Sequence, residues 1–184
     1  MTGYRAAVRE ARKTIRLDVG CGSQPRGDVN LDLFFGLSPH HRNPIHPKEI
    51  PNFVLGDAQH LPFKGGAFTA VVADNVLEHL ERPYEALGEF IRVARTAYIV
   101  VPNNPVLEEH PEHLYTWTST SLRNLLSRFY EKVEVRPRSR GRDVGRSRVF
   151  RLCRRLPVLK RPLLRFLSRA MAVELHAVCR EAKS

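Results

Sequence analysis

The stretch Thr14-Ile15-Arg16-Leu17-Asp18-Val19-Gly20-Cys21-Gly22-Ser23, with Asn30-Leu31-Asp32-Leu33 close behind, decides the fold. A short apolar run ends in an acid, a Gly-x-Gly follows, and a second apolar run ends in another acid. That order is how a parallel-sheet protein grips a nucleoside. The glycines admit backbone close to a ligand where a Cβ would collide, and the second carboxylate accepts the hydroxyls of a ribose. No Lys follows the glycines and no third Gly closes the loop, which favours a ligand without phosphate.

Around this stretch the pattern is strand, loop or helix, strand. Residues 4–13 read as a short helix, 14–19 as a buried strand and 28–33 as a second strand. Only about eight residues, including Pro25 and Gly27, separate those strands. Parallel neighbours usually need a crossover of a dozen or more, so the first crossover is cut to a turn or loop. Residues 34–52 hold four prolines together with His40, His41 and His46, and read as a loop, with no fourth ligand or Cys at a usual zinc spacing. Further strands are expected at 53–56, 67–73 and 97–102, with a turn-rich bridge at 61–66. A helix over 83–95 places Leu87, Phe90, Ile91 and Ala94 on one face, with Pro83 in its first turn. A capped helix over 119–129 turns Leu122, Leu125 and Leu126 inward. The segments 131–137 and 172–180 alternate as strands do. Strands alternating with helices predict an α/β chain whose parallel sheet is covered on both faces.

Composition bounds the rest. The 184 residues suit a single domain spanning 1–184. No apolar run approaches the roughly 18 residues of a membrane span, and Met1 to Lys13 lacks the apolar core of a secretory signal. Three cysteines, Cys21, Cys153 and Cys179, at no metal-like spacing point to a reduced, cytoplasmic protein. The net charge is +11, and from Lys132 to Arg169 nearly every charged residue is basic. A basic insertion at about 138–171 therefore precedes the last strand.

With these residues in view, the chain resembles the class I, Rossmann-like methyltransferases that use S-adenosylmethionine, in particular those with small domains. The motifs that carry the resemblance are LDVGCG (17–22), VNLDL (29–33), GDAQHLPF (56–63), FTAVVADNVLEHL (68–80), EFIRVAR (89–95), YIVVPN (98–103) and EHLYTWTSTSLRNLL (112–126), in that order. The resemblance implies a seven-stranded, mostly parallel sheet with an antiparallel last strand, and S-adenosylmethionine lying across the carboxyl edge of the first strands. It also implies a site: Gly20, Cys21 and Gly22 under the amino-acid moiety and ribose, Asp18 toward the methionyl ammonium, Asp32 on the ribose hydroxyls with Leu33 against the adenine, Asp57 on the adenine amino group with Ala58 beside it, and Asp74 and Asn75 at the methionyl end. The cofactor carries a sulfonium and an ammonium and no phosphate, so carboxylates rather than lysines suit its cleft. RVARTAYIVV lacks the family's usual Lys-Pro-Gly-Gly turn, which suggests a direct helix-to-strand connection.

Methyl transfer is an in-line displacement, and most of its acceleration comes from holding the acceptor about 3 Å from the methyl. A base is needed only if the acceptor must lose a proton, so the sequence assigns no catalytic residue. Asp74-Asn75-Val76 stands where an Asn-Pro-Pro-Tyr would mark adenine-amine methylation, and no Pro-Cys pair exists to attack a pyrimidine ring. His79 reads as a base near the methyl or as a brace of the helix start. His113, Tyr115 and Trp117, spaced by two, share one side of an extended segment and read either as the acceptor pocket or as a packed lid. Glu108, Glu109 and Glu112 read as a cation-binding group or a solvated loop, and no metal site is expected. The acceptor is undetermined, a small or lipid-like molecule being favoured. Alternatives are RNA, reached through the Arg-rich segment 136–169, and a non-catalytic binding module. The same segment could lie on an anionic membrane or pack its apolar face on the sheet. The oligomeric state is left open.

Overall fold

In a computed structural model of the chain, residues 15–38, 43–103, 112–138 and 174–183 are described. The expected helix over 4–13, His40, His41, Glu108, Glu109 and nearly all of the basic insertion lie outside them. The elements run β1 (Arg16–Val19), β2 (Val29–Asp32), β3 (Phe53–Leu55), β4 (Ala70–Asp74), α1 (Pro83–Val93), β5 (Ala97–Pro102), α2 (Ser119–Leu126), β6 (Tyr130–Arg138) and β7 (Glu174–Ala182).

They form one seven-stranded sheet in the order β3-β2-β1-β4-β5-β7-β6. Strands β1 to β5 are mutually parallel, and β7 runs antiparallel to both β5 and β6. The last strand is therefore the antiparallel one, as the family resemblance implies. From β1 the chain moves outward through β2 and β3, then returns to the other side of β1 as β4. The carboxyl edge between β1 and β4 is thus the topological switch point, where open α/β sheets leave a crevice.

Register shows why one face is sealed. Leu17, Val71, Ala97 and Cys179 stand in one row across β1, β4, β5 and β7, and Val19, Ala73, Ile99 and Ala177 in the next. All are buried, and they share one core cluster with Ala86, Leu87, Phe90 and Val93 of α1 and Leu122, Leu125 and Leu126 of α2. Burying each large side chain of this kind contributes about 2 kcal/mol. The opposite face is thinner: Tyr98 on β5 is 41% exposed, and its row neighbours Val72 and Val178 are half-buried. Among the described residues the α-helices pack on the sealed face. No helix among them is long and apolar enough to cross a membrane.

Local signals act as expected, with adjusted ends. Pro83 sits in the first turn of α1, which stops at Val93 because Ala94 is extended. Of the expected face, Leu87, Phe90 and Ala94 are buried and Ile91 is half-buried, while Ala86 and Val93 complete the buried stripe. Thr118 caps α2: its hydroxyl accepts from Ser121 N, and Ser121 Oγ accepts from Thr118 N, satisfying two otherwise orphaned N–H groups. From α1 the chain enters β5 after three residues, the direct connection suggested by the missing glycine turn.

Candidate functional site

The first crossover is a turn, not a helix, and its backbone is folded tightly onto β1 and β2. Gly20 N and Cys21 N both donate to Leu31 O, and Asp28 N donates to Arg16 O. Arg26 N donates to Asp18 Oδ2 at 2.7 Å. Gly27 N donates to the side-chain oxygen of the fully buried Asn30. Gly20 and Gly22 take positive φ, +68° and +55°. A Cβ on Gly20 would lie 2.5 Å from Val76 Cγ2, so the glycine lets the end of β1 approach Val76 across the gap between the ends of β1 and β4.

That gap is a cavity of about 300 Å³, open on one side. It is lined by Val19, Gly20, Leu31, Asp32, Leu33, Phe34, Ala58, Asp74, Asn75, Val76, His79 and Leu80. Of the residues expected at the cofactor or acceptor, the structure brings Gly20, Asp32, Leu33, Ala58, Asp74, Asn75 and His79 to this wall. Leu31, Phe34, Val76 and Leu80 were legible only as ordinary core or loop residues. Asp32 is 2% exposed, and its carboxylate accepts from Gly22 N at 2.9 Å and from Phe34 N at 3.0 Å. These two bonds tie the glycine loop to the end of β2 and aim the acid at the cavity.

The other expected residues lie just outside the lining. Asp18 is buried beneath it and braces Arg26. Cys21 packs with Ile45 and Ile50, and burial with the nearby Asp32 and Asp18 charges pushes its thiol up to about 12, so it stays protonated. Gly22 contributes its N–H to Asp32. Asp57 accepts from Gln59 N at 2.8 Å. Partial burial opposes its ionisation, but the bonds from Gln59 and the neighbouring His60 outweigh that and hold it below the usual carboxylate range. Tyr115 and Trp117 do stand on one side, stacked at 5.7 Å, yet neither lines the cavity. Tyr115 donates to Glu81 O, and Trp117 is buried. His113 meets His79 edge to face, with ring centres 4.8 Å apart.

Electrostatically the cavity is a seat for a cation. Asp32 and Asp74 line it, Asp18 lies behind it, and no Lys or Arg is among its lining residues. Arg26 reaches in from the crossover to pair with Asp74, offsetting one negative charge. Burial raises Asp18 from 3.8 to about 6, with the Arg26 N–H bond opposing. The folded chain thus keeps a proton there that the unfolded chain releases between about pH 4 and pH 6. This group's contribution to stability is greatest below about pH 4 and is lost as pH rises through about 6. Asp18→Asn cannot ionise and keeps an acceptor for Arg26 N. It is expected to melt above the wild type near pH 7.5 and to lose that advantage near pH 4. A melting difference independent of pH would contradict the burial of this charge.

A family model described as a methyltransferase domain matches residues 29–100. No curated protein matches the chain significantly. Among solved structures, a Haloferax volcanii protein described as a methyltransferase and solved with the Trm112 methyltransferase activator is 15% identical, with a TM-score of 0.60, covering 100% of this chain and 89% of that one. An S-adenosylmethionine-dependent methyltransferase of Thermotoga maritima is 14% identical, with a TM-score of 0.56 and coverages of 96% and 86%. The [4+2]-cyclase SpnF is 16% identical, with a TM-score of 0.53 and coverages of 98% and 81%. At such identities the likeness is one of fold, and SpnF is a cyclase on that fold.

Proposed function

We propose that this chain, which belongs to the class I S-adenosylmethionine-dependent methyltransferases, is an active enzyme that methylates a small or lipid-like acceptor. The observation that carries the proposal is the cavity at the β1/β4 edge, acidic on the strand tips and apolar on the rim. Bound there, S-adenosylmethionine supplies an electrophilic methyl group on a sulfonium. The residues suit it. Asp32 accepts from the ribose hydroxyls, Leu33, Phe34 and Ala58 flank the adenine, and Asp57 accepts from its amino group. Asp74, Asn75 and Asp18 stabilise the cationic methionyl end, and Gly20 lets the loop close against Val76 beside it.

The rim supports this acceptor class. Leu33 and Phe34 line the cavity, and beyond them Phe35 and Leu37 stand largely in solvent. Four large apolar side chains in five residues, beside an open cavity, make a surface for an apolar acceptor. With the acceptor seated beside the cofactor, the rate gain comes chiefly from positioning. His79 stands on the cavity wall, beside the space for the acceptor.

The test supplies S-adenosylmethionine labelled in its methyl group to the purified protein with a cell extract. Label is expected in the organic-extractable fraction. Label in RNA would overturn the small or lipid-like acceptor in favour of the basic segment 136–169 as an RNA-binding surface. Calorimetry with S-adenosylmethionine and its demethylated product isolates the cofactor: no binding of either at millimolar concentration would leave a non-catalytic module.

A further inference from the structure

Glu78 has no role in the site as described, and its environment is unusual. It sits in the 3-10 turn Leu77–His79 that follows β4, is 0% exposed, and has no hydrogen-bond partner at either carboxylate oxygen. A buried carboxylate without partners costs several kcal/mol as an ion, and proteins keep such groups where something else satisfies them. Its surroundings supply a candidate. One ligand atom each from Glu78, His79 and His113 all lie within 4.8 Å of one another.

The three are held together by backbone. Leu114 N and Tyr115 N donate to Glu78 O at 2.7 and 3.2 Å, which pins the segment carrying His113 against the turn. His79 Nδ1 lies 3.1 Å from Glu112 O. A carbonyl only accepts, so Nδ1 carries the proton and the ring's lone pair is on Nε2. An imidazole oriented through its other nitrogen by a carbonyl is the usual state of a metal-ligating histidine. Ligand atoms around a tetrahedral ion stand about 3.4 Å apart, and these lie within 4.8 Å of one another, so rotamer adjustments of about 1.4 Å or less close the widest pair onto an ion.

We propose that Glu78, His79 and His113 bind a divalent transition ion whose remaining coordination positions face the cofactor cavity and take an oxygen of the acceptor. Two imidazoles and one carboxylate favour Mn²⁺, Co²⁺ or Zn²⁺ over Mg²⁺ or Ca²⁺, which prefer all-oxygen sites. His79 lines the cavity, so the ion is adjacent to the methyl-transfer space. A hydroxyl on the ion is acidified and its proton leaves to solvent through the open side. This part rests on the methyltransferase reading and narrows the acceptor to one bearing oxygen. The ion site itself does not depend on that reading.

The experiment titrates untagged, chelator-stripped protein with Co²⁺ and Zn²⁺, followed by calorimetry and by the visible absorption of bound Co²⁺. One ion per chain is expected, at micromolar affinity or tighter. Glu78→Gln keeps the shape of the buried side chain and removes its ability to ionise, and His113→Ala removes a ligand outside the sheet. Each is expected to weaken binding about tenfold or more. No Co²⁺ absorption in the wild type, or undiminished affinity in whichever variants fold, overturns the proposal. S-adenosylmethionine binding measured in chelator tests the cofactor site separately, so the two failures are distinguishable.

Discussion

Gly27→Ala is expected to destabilise the chain by about 3 kcal/mol or more. A Cβ at this position would stand 2.4 Å from Val29 O and 2.7 Å from Asp18 N. Both are backbone atoms of neighbouring strands, so no rotamer change relieves the contact. The crossover would have to lift from β1, giving up the bonds of Arg26 N to Asp18, Asp28 N to Arg16 and Gly27 N to Asn30. Three bonds at about 1 kcal/mol each account for the figure before any repacking, against a total stability of roughly 5–15 kcal/mol. Urea unfolding followed by circular dichroism measures it. Gly88→Ala is the matched control. A Cβ on Gly88, inside α1, meets nothing within 4 Å, so the same substitution there is expected to stabilise by up to about 1 kcal/mol. Equal midpoints for the two variants would refute the account of the short crossover.

Asp32→Ala is expected to weaken S-adenosylmethionine binding at least tenfold. The change removes a carboxylate that lines the cavity and is proposed to hold two ribose hydroxyls. It also strips the acceptor from Gly22 N and Phe34 N, loosening the glycine loop and the apolar rim together. Asp57→Ala is the comparison. Its carboxylate is one-third exposed and its bonds are to Gln59 and His60, so a smaller loss is expected. Calorimetry on folded variants gives both dissociation constants. An unchanged value for Asp32→Ala would remove the ribose assignment, and a larger loss for Asp57→Ala would shift the main polar anchor to the adenine end.

Much of the sheet was legible because each buried strand is a short apolar run bounded by acids, glycines or prolines. Leu17-Asp18-Val19 and Val29-Asn30-Leu31-Asp32 were readable as neighbours with too little chain between them for a helix. The cavity wall was legible where the backbone itself makes it: Gly20, Asp32, Ala58, Asp74 and Asn75 all sit at or just after strand ends. Phe34, Leu80 and Glu78 were not, because a side chain's exposure at a loop or turn depends on what folds over it. Glu78 looked like half of a Glu-His pair at a helix start. In the fold it is fully buried, and Leu114 and Tyr115, thirty-odd residues on, bond to its main-chain carbonyl.

By itself the amino-acid order determined the alternation of strands and helices, the truncated first crossover and the acids at the strand tips, since these follow from local polarity and chain length. The tertiary structure alone decided which of those acids reach the cavity, that Gly27 is squeezed between two backbones, and that Glu78, His79 and His113 meet. These depend on strand register and on contacts between segments remote in sequence. No local pattern encodes a distance that exists only after the sheet has formed.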